Sequence, residues 1–65
     1  QSAERGIGGI VRNLIRENGG ECTTLEVYNR GADQGFDEDT VDRILSTLST
    51  RGTIYQPKPG VWQLV

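Results

Sequence analysis

The chain has 65 residues, with seven Lys or Arg against nine Asp or Glu and a formal net charge of −2. This length allows one domain with one small core, and the negative balance argues against strong autonomous binding to nucleic-acid phosphates. Cys22 is the lone cysteine and there is no histidine, which excludes an internal disulfide and a Cys/His zinc site. No apolar run approaches the roughly 20 residues that span a bilayer, and no signal peptide is recognisable, so we expect a soluble, intracellular protein.

The first predicted element is an amphipathic helix. Its apolar residues follow the spacing i, i+3, i+4, i+7, i+8, at Ile7, Ile10, Val11, Leu14 and Ile15. Glycine costs about 1 kcal/mol relative to alanine inside a helix, and several glycines lie near the start of this pattern. We therefore expect firm helix only from about Ile10, with residues 1–6 as a linker remnant. Asn18-Gly19-Gly20 is the predicted end.

A second, shorter helix is predicted from about Thr24 to Arg30. Thr23 and Glu26 have the spacing of a capping box, which predicts the helix start. Cys22 and Val27 then occupy the positions of a hydrophobic staple, which gives the cysteine a structural role. Leu25 and Tyr28 are predicted to face the core, and Gly31 to stop the helix.

The third predicted helix follows the connector Ala32–Gly35. Asp37 is its predicted N-cap, with acidic residues in the first turn and Phe36 stapled against Val41. Its buried stripe consists of Val41, Ile44, Leu45 and Leu48. Arg51 and Gly52 mark the end of the helix.

The last stretch, Ile54 to Val65, predicts a β-hairpin. Two β-prone runs flank the sequence Pro57-Lys58-Pro59-Gly60, in which proline fixes φ and glycine permits positive φ. A short strand at Glu21-Cys22 is expected to pair with the hairpin edge.

Three helices followed by a hairpin predict an α+β, mainly helical fold of the winged helix-turn-helix type, with residues 1–65 as a single domain. The sheet is expected to have two or three antiparallel strands. The predicted core is Ile10, Val11, Leu14, Ile15, Leu25, Ile44, Leu45, Leu48, Ile54, Trp62 and Leu64.

No catalytic, cofactor-binding or metal-binding residues are predicted. The chain has no histidine, no phosphate-binding glycine loop with its lysine, and no serine in a nucleophile motif. The acidic residues near the third helix lack the spacing of a calcium loop, and helix capping explains them.

The third helix would read DNA in a DNA-binding winged helix, but its outward face begins with carboxylates. Sequence-specific readout by this helix is therefore not expected. Lys58, held between two prolines, is the cation on the hairpin and could meet a phosphate or an acidic partner, or could simply be a solvated turn residue. The candidate contact residues for a partner or DNA are Lys58, Tyr55, Gln56, Arg43 and Arg51.

Gly35 before a capped helix, the stripe from Val41 to Leu48, and the run Arg51-Gly52-Thr53-Ile54-Tyr55-Gln56-Pro57-Lys58-Pro59-Gly60 together resemble a known family. They are similar to the C-terminal winged-helix domain of the minichromosome maintenance (MCM) replicative DNA helicases, of the archaeal type. The absence of methionine and a start at Gln1 fit a piece of a longer protein.

The resemblance implies a non-catalytic accessory domain that modulates the ATPase and helicase activity of its parent through protein contacts, with weak DNA binding at most. ATP and magnesium would belong to the parent. The implied partners are the parent's ATPase domain and replication initiator proteins, and the implied location is the archaeal cytoplasm, or the nucleus in a eukaryote. The alternatives are the DNA-binding winged helix of a transcription regulator, which the same fold would support, and an adaptor domain of an unrelated complex.

Overall fold

The computed structural model describes residues 2–65. The helices are α1 (Ser2–Glu17), α2 (Thr24–Asp33) and α3 (Glu38–Thr50). Strands β1 (Cys22–Thr23), β2 (Ile54–Lys58) and β3 (Val61–Leu64) form one antiparallel sheet with the order β1-β3-β2. Three helices followed by a C-terminal hairpin confirm the predicted winged-helix architecture. None of the helices in the described residues is long and apolar enough to cross a membrane.

Helix α1 begins earlier than its glycines suggest. It starts at Ser2, and Ile7 is fully buried, so the prediction of firm helix only from Ile10 is wrong. The linker predicted for residues 1–6 is helical from residue 2 onward, and Gln1 lies outside the described residues. A Cβ on Gly6 would lie 3.0 Å from Cζ of Phe36, so glycine lets that ring pack against the helix. Burial of Ile7 and the contact with Phe36 offset the low helix propensity of glycine.

The capping box at the start of α2 is confirmed. The backbone N–H of Glu26 donates to Oγ1 of Thr23 at 3.2 Å, and the backbone N–H of Thr23 donates to Oε1 of Glu26 at 2.9 Å. The second of these bonds is the main reason that the pKa of Glu26 lies below its ordinary value. The staple residues Cys22 and Val27 are both buried in the core. Two orphan N–H groups are thus satisfied while an apolar pair is buried beneath them.

The end of α2 differs from the prediction. Gly31 does not stop the helix but lies buried within it, where a Cβ would come within 3.2 Å of Cγ2 of Val41 on α3. The helix ends at Asp33 with Gln34 as its C-cap, and Gly35 follows with φ +89°. The Phe36 N–H donates to the Gly31 carbonyl at 2.9 Å. This is the hydrogen bond of a Schellman motif. Gly31 therefore sets how closely α2 and α3 approach.

The N-cap of α3 is confirmed. Oδ1 of Asp37 accepts a hydrogen bond from the Thr40 backbone N–H at 2.9 Å. Hydrogen bonds from Thr40 hold the pKa of this carboxyl below its ordinary value. The acidic start of α3 is thus explained in part by capping.

The core has one contiguous cluster, to which all three helices and all three strands contribute. Its buried members are Ile7, Ile10, Val11, Leu14, Ile15, Cys22, Val27, Val41, Ile44, Leu45, Leu48, Ile54 and Trp62. Two predicted core residues are wrong, since Leu25 is 69% exposed and Leu64 is 42% exposed. Leu25 lies about 200° around the helix from the buried Val27 at the α-helical rotation per residue, so both cannot face the core. Leu64 is the last residue of β3, at the end of the sheet.

The thiol of Cys22 should react only slowly with alkylating reagents in the folded chain. Its side chain is 2% exposed, and burial, aided by the nearby carboxylates of Glu26 and Glu21, raises the pKa of the thiol from 9.0 to about 11. At about pH 8 the thiolate fraction falls by about 100-fold relative to an unperturbed thiol, before the lack of access is counted. We expect alkylation of the native chain to be slower than in urea by at least that factor. Equal rates in the two conditions would show that this thiol is not buried.

Candidate functional site

The wing is a hairpin with a tight turn and a bulge. Tyr55 pairs with Gln63 and Lys58 pairs with Val61, so two residues of β2 oppose one residue of β3. Such a bulge accommodates Pro57, which has no N–H to give to the ladder. The turn itself is Pro59-Gly60, with Gly60 at φ +80° as a type II turn requires. Lys58 therefore lies at the last position of β2. The prediction that it lies within a four-residue loop is wrong.

One hydrogen bond closes the turn of the wing, and two more fasten the wing to α2. The Gly60 N–H donates to Oε1 of Gln56 at 2.7 Å, which closes the turn from within. The Thr24 N–H donates to the Gly60 carbonyl at 2.9 Å, and Nε1 of Trp62 donates to Oγ1 of Thr24, also at 2.9 Å. The first residue of α2 thus holds the turn by its backbone and the last strand by its side chain. The wing is a fixed platform for whatever Lys58 contacts.

Tyr55 and Gln56 both have partners within the chain. The Tyr55 hydroxyl donates to Oε1 of Gln63 at 2.8 Å, and Nε2 of Gln63 donates to Oε1 of Glu21 at 3.0 Å. These side chains form a polar row across the exposed side of the sheet. The side chain of Gln56 accepts the hydrogen bond from the Gly60 N–H within the turn. Each contributes to the shape of the wing, and a contact by either with a partner stays a prediction.

The cations predicted as contacts lie on separate elements. Lys58 is exposed on β2, and its side chain makes no hydrogen bond or ion pair with any other described residue. Arg43 is exposed on α3, where its carbonyl accepts from the Thr47 hydroxyl at 3.0 Å. Arg51, the C-cap of α3, pairs with Glu4 of α1. The structure therefore brings Tyr55, Gln56 and Lys58 together but places the two arginines elsewhere.

The outward face of α3 is acidic near its start. Glu38, Asp39 and Asp42 are exposed there, although helix α3 would be the DNA reader in a DNA-binding winged helix. The Tyr28 hydroxyl donates to Oδ1 of Asp42 at 2.5 Å, and this bond, with the surrounding carboxylates, raises the pKa of Tyr28 to about 12. Asp42 is therefore fixed in position by α2. A phosphate approaching this end of α3 would meet negative charge.

Sequence reasoning missed the link between Tyr28 and Asp42 and a second cross-helix contact. Arg30 of α2 forms a bidentate ion pair with Glu17 of α1, with both N–O distances 3.1 Å. The hydrogen bond from Arg30 lowers the pKa of Glu17. Both contacts join residues that are more than ten positions apart, so no local spacing signals them. In the described part of the chain, no cluster of three or more His, Cys, Asp or Glu is placed to hold a metal ion.

Comparison with known proteins finds similarity to two archaeal sequences. No protein-family model matches the chain. It is 34% identical over 56 residues to an uncharacterized protein of Methanocaldococcus jannaschii, a match that covers 85% of this chain and 4% of that protein. It is 35% identical over 60 residues to an uncharacterized MCM-type protein of the same organism, covering 85% of this chain and 8% of that protein. The chain thus spans less than a tenth of the length of these relatives, and its similarity to an MCM-type protein is distant and partial.

Proposed function

We propose that the chain is a non-catalytic C-terminal accessory domain of an MCM-like replicative DNA helicase. The observation that carries this proposal is the 35% identity to an MCM-type protein, which extends over most of this chain. The run from Arg51 to Gly60, which resembles the wing of this family, supports the same proposal.

The domain modulates ATPase and helicase activity through protein contacts and binds DNA weakly at most. The acidic start of α3 supports this part of the proposal, because a helix with exposed Glu38, Asp39 and Asp42 is repelled by phosphates. The overall charge of −2 acts in the same direction. ATP and magnesium belong to the parent's ATPase domain, which is the proposed partner together with replication initiator proteins.

Lys58 is the proposed contact with the ATPase domain. Its backbone is held by a turn that two flanking prolines and three hydrogen bonds stabilise, so docking costs little backbone entropy. Its side chain has no partner within residues 2–65 and extends from an exposed position. A single exposed cation on a rigid platform suits recognition of one acidic patch.

We expect Lys58→Glu to change the ATPase rate of the parent protein in the absence of DNA while leaving the fold intact. The substitution reverses the charge at an exposed strand end that contributes nothing to the core. ATPase and unwinding rates would be measured for the parent protein, for its Lys58→Glu variant, and for a parent protein from which this 65-residue domain has been removed. Arg43→Glu, with the same charge change on another element, is the matched control.

The outcomes separate the possible roles of the wing. A changed rate without DNA supports a protein contact, and unchanged Arg43→Glu rates locate that contact on the wing. A rate that changes only when DNA is present would assign Lys58 to phosphate contact instead. Rates that survive both Lys58→Glu and removal of the domain would refute the regulatory proposal.

A further inference from the structure

A groove of about 430 Å³ lies between residues 4–12 of α1 and the end of α3. Arg5 and Arg12 line it from α1, and Arg51 lines it from the C-cap of α3. One carboxylate, that of Glu4, shares the lining, so the formal charge of the groove is +2 in a chain whose net charge is −2. The charge of this surface is opposite to that of the chain as a whole.

The arginines are arranged to act together. Arg5 and Arg12 are seven positions apart, which places them on the same side of α1 and about 10 Å apart along its axis. Gly8 lies between them, and a Cβ there would meet nothing within 4 Å, so the floor of the groove is open. Neither Arg5 nor Arg12 makes an ion pair with a described residue. Two guanidinium groups along one wall thus remain available to a ligand.

Arg51 already holds an anion in this groove. Its guanidinium donates to Oε2 of Glu4, so a carboxylate of the chain itself occupies the position that a ligand oxygen would take. The side chain of Arg51 remains 61% exposed, which leaves further N–H groups open to solvent. Arginine offers five donors in a planar fork that matches phosphate oxygens.

We infer that this groove binds backbone phosphates of nucleic acid through Arg5, Arg12 and Arg51. The weak DNA contact of the chain would then run through α1, and not through α3 or the wing. This inference does not depend on the activity of the parent protein.

The composition of the lining favours a nucleic-acid backbone over an acidic protein segment. Protein partners are usually anchored by apolar or aromatic side chains in pockets at the centre of an interface. The one apolar side chain of this lining, Leu48, is only 7% exposed, and the exposed large apolar residues of the chain are absent from the lining. A ligand of this groove would therefore be recognised mainly through its anionic groups.

The acidic start of α3 does not cancel the attraction. Helix α3 has 13 residues, so Glu38 and Arg51 are separated by about 20 Å along the helix axis. At physiological ionic strength the Debye length is about 8 Å, so exposed charges at the two ends are largely screened from each other. The groove therefore presents a local positive field.

The test is an NMR titration of the 65-residue chain with a mixed-sequence duplex and with single-stranded oligothymidylate. We expect backbone amide shifts to cluster in residues 4–12 of α1 and around Arg51. For three phosphate contacts the plot of log affinity against log salt should have a slope of about −2.7 with duplex and about −2.1 with single strand. When the salt concentration is lowered from about 150 to about 50 mM, the affinity for duplex should rise about 20-fold. Shifts confined to α3 or the wing would overturn the proposal.

Charge reversal separates the groove from the rest of the surface. Arg5→Glu and Arg12→Glu should each weaken binding and reduce the magnitude of the salt slope by about 1. Arg43→Glu makes the same charge change on α3 and should leave the slope unchanged. A thermal melt checks each fold, and Arg5→Gln and Arg12→Gln replace any variant that does not fold. Equal weakening by Arg43→Glu would contradict a local site.

Two further comparisons test the role of Glu4 and the class of ligand. Glu4→Gln should tighten binding by releasing Arg51, whereas Glu38→Gln, with the same charge change, should not. Polyglutamate at matched charge concentration should displace the oligonucleotide poorly. Displacement as strong as that by unlabelled oligonucleotide would assign the groove to an acidic protein segment and overturn the proposal. None of these results bears on the ATPase test of the parent protein.

Discussion

Leu48→Ala is expected to lower the free energy of unfolding by about 2–5 kcal/mol. Leu48 is 7% exposed and belongs to the core cluster that joins the three helices to the sheet, so its removal leaves a cavity. A domain of this size has a total stability of about 3–10 kcal/mol, so the substitution should remove a large part of it. Urea denaturation followed by the fluorescence of Trp62, the lone tryptophan, measures the change.

The matched control is Leu25→Ala. It makes the same substitution at a leucine that is 69% exposed, and we expect a change within about 0.5 kcal/mol. Because both variants replace leucine by alanine in a helix, the difference between them measures the effect of burial. If Leu48→Ala and Leu25→Ala had equal effects, the assigned core face of α3 would be incorrect.

Trp62→Ala is expected to cost about 3–5 kcal/mol. The ring is 6% exposed, and its Nε1 donates to Oγ1 of Thr24 at 2.9 Å, so the substitution removes both core volume and the link between β3 and α2. Circular dichroism is the appropriate measure, since the variant lacks the fluorescent residue. A melt that resembles that of the parent chain would contradict the placement of this ring in the core.

A double-mutant cycle separates the hydrogen bond from the packing. Trp62→Phe keeps an aromatic ring and removes the donor, while Thr24→Val keeps the shape and removes the acceptor. We expect a coupling energy of about 0.5–1.5 kcal/mol between the two sites. Strict additivity would mean that the side-chain hydrogen bond between Trp62 and Thr24 does not couple the two sites.

Local signals in the sequence predicted the starts of α2 and α3. Thr23 with Glu26, and Asp37 with the N–H of Thr40, form bonds between residues three positions apart, so spacing alone identifies them. The hairpin was also predictable, because the chemistry of proline and glycine restricts the turn. The order of elements followed from these signals, and with it the winged-helix architecture.

Errors arose where tertiary contacts override local preference. Gly31 was expected to stop α2, but its lack of a side chain serves the close approach of Val41 instead. The first turn of α1 was expected to be weak, but the burial of Ile7 and the ring of Phe36 stabilise it. Neither contact can be inferred from neighbours along the chain, because the partners are ten or more positions away.

The candidate site was predictable in part. The exposed position of Lys58 followed from the turn residues, but the use of Gln56 within the turn and of Tyr55 across the sheet depends on the register of the strands. The arginine groove depends on how α1 crosses the end of α3, so the sequence carried no local signal for it. The sequence alone indicates only that Arg51 is a basic residue near the end of the third helix.

The central proposal is that this winged helix does not read DNA with its third helix and acts mainly through protein contacts. A fluorescence-anisotropy titration of the chain with duplex DNA at physiological salt tests it most directly. The account predicts a dissociation constant of about 10⁻⁴ M or weaker, without sequence preference, as for non-specific binding through a few phosphates. Sub-micromolar binding with preference for one sequence would contradict the account and favour a DNA-binding domain of a transcription regulator.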